Sequence, residues 1–108
     1  MNRPAETSVL FVCMGNICRS PSAEGVLKQK IGESGLDERI RVDSAGTHAY
    51  HLFEAPDVRA QATAMARGID ISHQRARRFE VSDFERFDYI LAMDQDNLDI
   101  LSRSCPAG

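Results

Sequence analysis

The stretch that decides the fold is SVLFVCMGNICRSPSAEG, residues 8–25, in which an apolar run, a compact loop and a helix-like pattern follow one another. The run SVLFVC at 8–13 is apolar and rich in β-branched residues, as is typical of a strand buried in a parallel sheet. Pro21 suits the first turn of a helix, and apolar side chains recur at helical spacing from Ala23 to Ile31. We expect Glu24 to complement the positive end of that helix dipole.

The rest of the chain repeats this alternation. IRVDSAG from Ile40 predicts a second strand, and a second long helix is expected after Pro56, ending at Gly68. The apolar residues predicted to share one face of that helix are Val58, Ala62, Met65 and Ile69. A helical turn at 82–87, a buried strand at 89–93 and a last helix capped by Asp94 follow, with Leu98 and Leu101 as its apolar residues. Strands that alternate with helices predict an α/β fold with a parallel sheet.

Composition limits the class of protein. The chain has 108 residues, 43% hydrophobic and 27% charged, which predicts one globular domain over residues 1–108. The net charge of -3 argues against a nucleic-acid partner. The apolar run near the start is too short for a signal peptide or a membrane span, so we expect a cytoplasmic protein that does not enter membranes. Three cysteines, an odd number, favour reduced thiols.

The loop between the first strand and the first helix has the composition of an anion site. Backbone N–H groups of such a loop can turn inward, and the helix dipole adds positive potential at the same place. Gly15 allows close approach of the backbone to a ligand, and Arg19 offers a planar fork of donors. Cys13, below this site, is then favoured as a thiolate nucleophile. The alternative is that Cys13 is a small buried side chain and Arg19 a solvated one, but the surrounding strand, Gly, Asn and helix favour catalysis.

CMGNICRS followed by PSAEG closely resembles the phosphate-binding loop of the low-molecular-weight protein tyrosine phosphatases. The resemblance continues through DSAGT at 43–47, GIDISHQRAR at 68–77 and DFERFDYILAMDQDNL at 83–98. It implies a flavodoxin-like doubly wound parallel sheet, here truncated to about three strands with flanking helices. It also implies hydrolysis of phosphotyrosine or aryl phosphates through a cysteinyl-phosphate, with no metal and no cofactor.

The resemblance also implies a role for each matching residue. Cys13 would attack phosphorus, Arg19 would clamp the phosphoryl oxygens, and Ser20 would support the thiolate. The residues implied to bind phosphate are Met14, Gly15, Asn16, Ile17, Cys18, Arg19 and Ser20. Those implied to support the loop are Asn16, Ser44 and His73, and Tyr50 is implied to form a wall beside the substrate. Cys18 could also form a reversible disulfide with Cys13, or it could simply pack.

The chain departs from the family pattern in one respect. The family's general acid is an aspartate followed by proline, and no Asp-Pro pair occurs in these 108 residues. We therefore expect a domain that lacks the last strand and helix of the fold, and whose turnover is slowed, because a positioned acid contributes about 10²- to 10⁴-fold. The carboxylates nearest the matching loops, Asp43, Asp57 and Asp94, are explained by capping, turns and solvation, and none is assigned as the acid.

Other functions remain open at this stage. A pseudo-phosphatase that binds phosphate without turnover is one alternative. An arsenate reductase is a weaker one, because the strand YILAM and its flanks lack the cysteine pair that arsenate reduction needs. Ile17 favours a flat aromatic substrate over phosphoarginine, and a tyrosine kinase is one candidate protein substrate. A metal site formed by the three histidines His48, His51 and His73 lacks supporting ligand spacing. The arginines at 75, 77 and 78 predict a solvated face.

Overall fold

A computed structural model of the protein describes residues 7–48 and 50–105. These residues form alternating strands and helices, as the sequence predicts. In chain order they are β1 (Thr7–Cys13), α1 (Arg19–Glu33), β2 (Ile40–Gly46), α2 (Val58–Met65), α3 (Asp83–Arg86), β3 (Tyr89–Ala92) and α4 (Gln95–Ser104). No helix among them is long and apolar enough to cross a bilayer.

The described strands form one parallel sheet in the order β2-β1-β3. Val9 of β1 pairs with Val42 on one side and Tyr89 on the other, so β1 occupies the centre. The predicted α/β fold of flavodoxin-like type is therefore confirmed. Because β1 is central, the loop that follows it leaves the sheet between the carboxyl ends of its two neighbours, where parallel α/β sheets bind ligands.

The main hydrophobic core lies beside this central strand. Leu10 and Val12 of β1 are fully buried with Ala45, Phe87 and Leu101. A second cluster comprises Ala60, Ala64, Ile69 and Ile71. The two clusters hold the helices against the sheet and so fix the position of the loop after β1.

The prediction of a buried third strand was wrong for two of its four residues. Tyr89 is 59% exposed and Leu91 is 44% exposed, whereas Ile90 and Ala92 pack against the core. β3 is an edge strand of the described sheet, and the described helices cover one of its faces. Its side chains therefore alternate between the core and solvent, although the sequence reads as an unbroken apolar run.

The predicted buried face of α2 was also wrong, except for Ile69. Val58 and Met65 are exposed, and the buried residues of the helix are Ala60 and Ala64. Small residues at this contact allow α1 and the segment after α2 to approach closely: a Cβ added at Gly25 of α1 would lie 2.6 Å from Ile71. The helix ends as predicted near Gly68, whose φ of +77° favours glycine.

Candidate active site

The loop at 14–18 lies directly against the end of β2. Cys13 is the last residue of β1 and pairs with Gly46, and its carbonyl accepts a hydrogen bond from the amide of Thr47 at 2.8 Å. A Cβ added at Gly46 would lie 2.7 Å from the carbonyl oxygen of Met14. The end of β2 therefore leaves no room for a side chain at this contact, and the backbone of the loop is held in place.

The sulfur of Cys13 lies at the floor of this loop. Cys13 is only 4% exposed, and its Sγ is 2.9 Å from Oγ of Ser20 in the first turn of α1. The main-chain amide of Asn16 donates to the same sulfur at 3.3 Å. A sulfur that faces a helix N-terminus and receives an N–H bond lies in an environment that favours a negatively charged atom.

Asn16 organises the hydrogen bonds around the sulfur. Its φ is +59°, a left-handed conformation that asparagine tolerates better than most residues, and its side chain is buried. The Nδ2 group donates to Oγ of Ser20 and to Oγ of Ser44, both at 2.9 Å, while Oδ1 accepts from the amide of Arg77 at 2.9 Å. Three hydrogen bonds of one side chain therefore connect the loop to α1, β2 and the segment before α3.

These contacts fix the direction of the hydrogen bonds. A main-chain N–H can only donate, so the amide of Arg77 requires the oxygen of the Asn16 side chain to face it. The Nδ2 group must then donate to Ser20, whose hydroxyl has the sulfur of Cys13 as its remaining partner among the described residues. The hydroxyl hydrogen of Ser20 is then free to turn toward the sulfur, and when Cys13 is a thiolate, which has no hydrogen, Ser20 is the donor of this bond.

Glu24 belongs to the same network, which the sequence analysis missed. It lies beyond the first turn of α1 and is 4% exposed, so the expected role at the helix dipole was wrong. Its Oε1 accepts from Oγ of Ser44 at 2.6 Å, and its Oε2 accepts from Nζ of Lys28 at 2.6 Å. Glu24 follows Ser20 by four residues, which places both on one helix face, and that spacing was the available signal.

Arg19 begins α1 and points toward the amino end of α4. Its NH1 is 2.9 Å from Oδ2 of Asp94, and the guanidinium remains half exposed. The amide of Asn97 and then the Arg19 guanidinium hold the pKa of Asp94 below its ordinary value. Asp94 is also the N-cap of α4, as predicted, because its side chain accepts from the amide of Asn97. The predicted phosphate clamp therefore lies beside the loop, oriented by Asp94 and accessible to solvent.

His73 is one of the three residues predicted to support the loop. His73 is exposed and makes no hydrogen bond to Asn16, whose acceptor is bonded instead to the amide of Arg77. The charge of His73 contributes to lowering the pKa of Asp70, after the hydrogen bonds from Ser72. Two residues predicted to support the loop, Asn16 and Ser44, are thus joined directly, and the supporting role of His73 stays a prediction.

The rim of the site carries exposed apolar and aromatic side chains. Tyr50 is 69% exposed and stacks on His48, with ring centroids 5.1 Å apart and planes 13° apart. Met14 is 48% exposed. A groove beside the loop is lined by Cys18, Arg19, Ser22, Asp57, Arg59, Ala60 and Thr63. Cys18 is exposed while Cys13 is buried, and the predicted disulfide between them stays a prediction.

The arginines at 75, 77 and 78, predicted to form a solvated face, are only partly exposed to solvent. Arg75 and Arg78 are exposed, but the Arg77 side chain is 27% exposed and is paired with Asp43 and Asp83. Across residues 7–48 and 50–105, no group of three histidine, cysteine or acidic residues is arranged to hold a metal ion.

Comparison with known proteins agrees with this geometry. The profile of the family described as "Low molecular weight phosphotyrosine protein phosphatase" matches residues 8–107. The human protein of that name is 48% identical over 103 residues, which cover 95% of this chain and 65% of the human protein.

Solved structures show the same likeness in three dimensions. A protein tyrosine phosphatase from Entamoeba histolytica, crystallised with Hepes in its active site, has a TM-score of 0.90 at 44% identity. That match covers 94% of this chain and 64% of the amoebal one. DARP, a Drosophila arginine phosphatase, has a TM-score of 0.84 at 39% identity, covering 88% of this chain and 59% of that one.

The chain thus spans just under two thirds of the length of these relatives, and nearly all of its own length is matched. The matching region contains the whole loop from Cys13 to Ser20 together with the residues bonded to it. The chain belongs to the low molecular weight phosphotyrosine protein phosphatase family.

Proposed function

We propose that the protein hydrolyses phosphotyrosine or small aryl phosphates in two steps through a cysteinyl-phosphate on Cys13. The observation that carries this proposal is the buried sulfur of Cys13, which accepts a hydrogen bond from the amide of Asn16 and lies 2.9 Å from the hydroxyl of Ser20, the donor to a thiolate at this position. Both donors favour the thiolate, which is the nucleophilic form of cysteine. The names of the relatives support the same reaction.

In the first step the Cys13 thiolate attacks phosphorus, the S–P bond forms, and the bond from phosphorus to the aryl oxygen breaks. The loop amides and Arg19 would stabilise the phosphoryl oxygens, since phosphoryl transfer depends mainly on positioning and charge. Ser20 would stabilise the sulfur again when it leaves in the second step, in which water attacks phosphorus, the S–P bond breaks and inorganic phosphate is released.

The rim of the site supports an aromatic substrate. Tyr50 and Met14 present exposed apolar surface beside the loop, and such surface suits a flat aromatic ring. Ile17 within the loop is half-buried and contributes a further apolar side chain. These side chains support phosphotyrosine over phosphoarginine, and a protein substrate such as a tyrosine kinase fits the same preference.

The carboxylates near the loop are occupied by other partners. Asp43 bonds the amide of Ser44 and the side chain of Arg77, and Asp57 caps α2. Asp94 caps α4 and pairs with Arg19. These contacts support leaving all three unassigned as the acid. The first assay therefore uses an aryl phosphate whose leaving oxygen is stable as an anion, because such a group departs without a proton from a general acid.

The test measures nitrophenol and free phosphate from p-nitrophenyl phosphate under reducing conditions, from the first turnover onward. Wild type should release both products, and Cys13→Ser should release neither while still binding phosphate. Cys105→Ser is the matched control, because Cys105 is exposed and lies after α4. Turnover that survives in Cys13→Ser would overturn the proposal.

The alternatives give different results in the same assay. Phosphate binding with neither a burst nor turnover would indicate the pseudo-phosphatase. A burst of nitrophenol without phosphate release would show that Cys13 is a competent nucleophile and that the second step needs another group. Comparison of phosphotyrosine with phosphoarginine then tests the substrate class, and faster release from phosphoarginine would contradict it.

A further inference from the structure

We infer that Arg77 is a positioning residue of the phosphate-binding loop, acting through its own main chain on Asn16 and from there on the sulfur of Cys13. The inference rests on the phosphatase function proposed above. Nothing in the pattern HQRARR distinguishes Arg77 from its neighbours, because arginines at 75, 77 and 78 read alike in the sequence. The structure separates them by burial and by partners.

The side chain of Arg77 is bound at three points. Its NH1 and NH2 donate to the two oxygens of Asp83 at 3.0 and 3.2 Å, and its Nε donates to Oδ2 of Asp43 at 3.1 Å. Asp83 is fully buried and also accepts from the amide of Glu80 at 2.8 Å. A two-pronged guanidinium–carboxylate pair with a third bond has little freedom to move.

The electrostatics of this cluster keep the arginine charged. Burial alone would lower the pKa of Arg77, but hydrogen bonds and charge from Asp83 and Asp43 raise it above its ordinary value. Asp83 is further neutralised by Arg86, whose NH1 is 3.6 Å from Oδ1. A fully buried carboxylate is costly unless it is paired, so Asp83 and Arg77 depend on each other.

The main chain of Arg77 transmits this rigidity to the loop. Its amide donates to Oδ1 of Asn16 at 2.9 Å, and its carbonyl accepts from the amide of Gly46 at 2.8 Å. The residue is therefore fixed between the loop and the end of β2, and its amide is the group that orients the side chain of Asn16. If that amide moved, Asn16 could rotate, and the bond from its Nδ2 group that leaves the Ser20 hydroxyl hydrogen free for Cys13 would be lost.

The mechanism predicts a loss of chemistry rather than of substrate binding. Arg77 does not line the groove beside Cys18 and Arg19, so phosphate affinity should change little. Thiolate stabilisation at Cys13 should fall, because the orientation of Ser20 depends on Asn16. We expect Arg77→Gln to lower kcat by about tenfold with KM within about twofold.

The experiment compares Arg77→Gln with Arg78→Gln in steady-state assays with p-nitrophenyl phosphate at a temperature where both variants are folded by circular dichroism. Arg78 is the matched control: it is adjacent and exposed, and its side chain makes no hydrogen bond or ion pair with the described residues. Arg77→Lys should show a smaller loss of kcat than Arg77→Gln, since one ammonium can still contact Asp83.

A double-mutant cycle separates positioning from general stability. In an Asn16→Ala background the connection to Ser20 is already absent, so Arg77→Gln should lower kcat no further. Equal losses in both backgrounds would overturn the inference and assign Arg77 a purely structural role. A wild-type kcat in Arg77→Gln, or a change confined to KM, would overturn it as well.

A readout independent of turnover keeps the inference separate from the proposed function. The rate of Cys13 alkylation by iodoacetamide at fixed pH, located by peptide fragmentation, reports the thiolate directly. It should fall about tenfold in Arg77→Gln and stay unchanged in Arg78→Gln. If wild type alkylates normally but hydrolyses nothing, the phosphatase function fails while the positioning role stands. If Arg77→Gln alkylates at the wild-type rate, the positioning role fails.

Discussion

Replacing Gly46 by alanine tests the contact between the loop and the end of β2. The added Cβ would lie 2.7 Å from the carbonyl oxygen of Met14, 3.1 Å from the carbonyl carbon of Gly15 and 3.2 Å from the amide of Asn16. Ordinary contact begins near 3.4 Å, so the loop or the strand must move by 3.4 minus 2.7, or about 0.7 Å. All three neighbours are backbone atoms, and no side chain can rotate away to relieve the clash.

We expect Gly46→Ala to lower both the stability of the fold and kcat. Forcing a methyl group into a filled site destabilises a protein by about 1–3 kcal/mol. In a small domain each kcal/mol lowers the melting temperature by roughly 4–8 °C. A displacement approaching 1 Å at a catalytic loop can lower a rate by about 10²-fold, so we expect at least a tenfold loss of kcat in the folded fraction.

The assay measures thermal unfolding by circular dichroism and p-nitrophenyl phosphate turnover on the same preparation. Gly32→Ala is the matched control, since its Cβ would meet only Oδ1 of Asp37 at an ordinary 3.6 Å. That control lies within α1 and should stabilise by about 0.5–1 kcal/mol, because alanine loses less entropy than glycine. A Gly46→Ala protein with the wild-type melting temperature and kcat would show that the loop does not rest on β2.

Three further changes test other parts of the structure. Gly25→Ala should destabilise by about 1–3 kcal/mol in denaturant unfolding, because its Cβ would lie 2.6 Å from Ile71; an unchanged midpoint would contradict the close helix contact. Phe53 has φ of +66° and is 79% exposed, so Phe53→Asn should raise the melting temperature by relieving strain of about 1 kcal/mol, and a lower value would argue against that strain. The pKa of Asp94 is below its ordinary 3.8, so its charge stabilises the fold above that pH and the benefit is lost as pH falls through the lower folded value. The melting difference between wild type and Asp94→Asn, which keeps the cap, should therefore shrink on acidification, and a constant difference would exclude the carboxylate as its source.

Sequence reasoning succeeded where structure is determined by neighbouring residues. The strand that ends at Cys13, the loop and the helix that begins at Arg19 are encoded in one stretch, so their periodicity and turn chemistry are visible together. The N-cap at Asp94 and the helix stop at Gly68 were predicted for the same reason. Each of these features depends on residues a few positions apart.

Prediction from the sequence failed where segments distant in the chain meet. The bond from the amide of Arg77 to Asn16 spans 61 residues and uses a main-chain group that every residue except proline possesses. The bond from Ser44 to Glu24 joins a strand to a helix that has no local reason to bury a carboxylate. The contact face of α2 was misassigned because a buried helix face is predicted from the spacing of large apolar side chains. In this helix the buried residues are the small Ala60 and Ala64, which permit close approach of α1.

The central position of β1 has a consequence for the order in which the molecule assembles. The amide of Ser8 bonds Oδ2 of Asp88, 80 residues later, so the first strand acquires β3 as a neighbour only after the chain has been made through Ala92. Contacts of such long sequence separation close slowly, because the entropy of a large loop opposes them. During synthesis on the ribosome, Cys13 therefore emerges early but enters its buried environment late. The sulfur reaches its buried position only when β2 and β3 have both paired with β1.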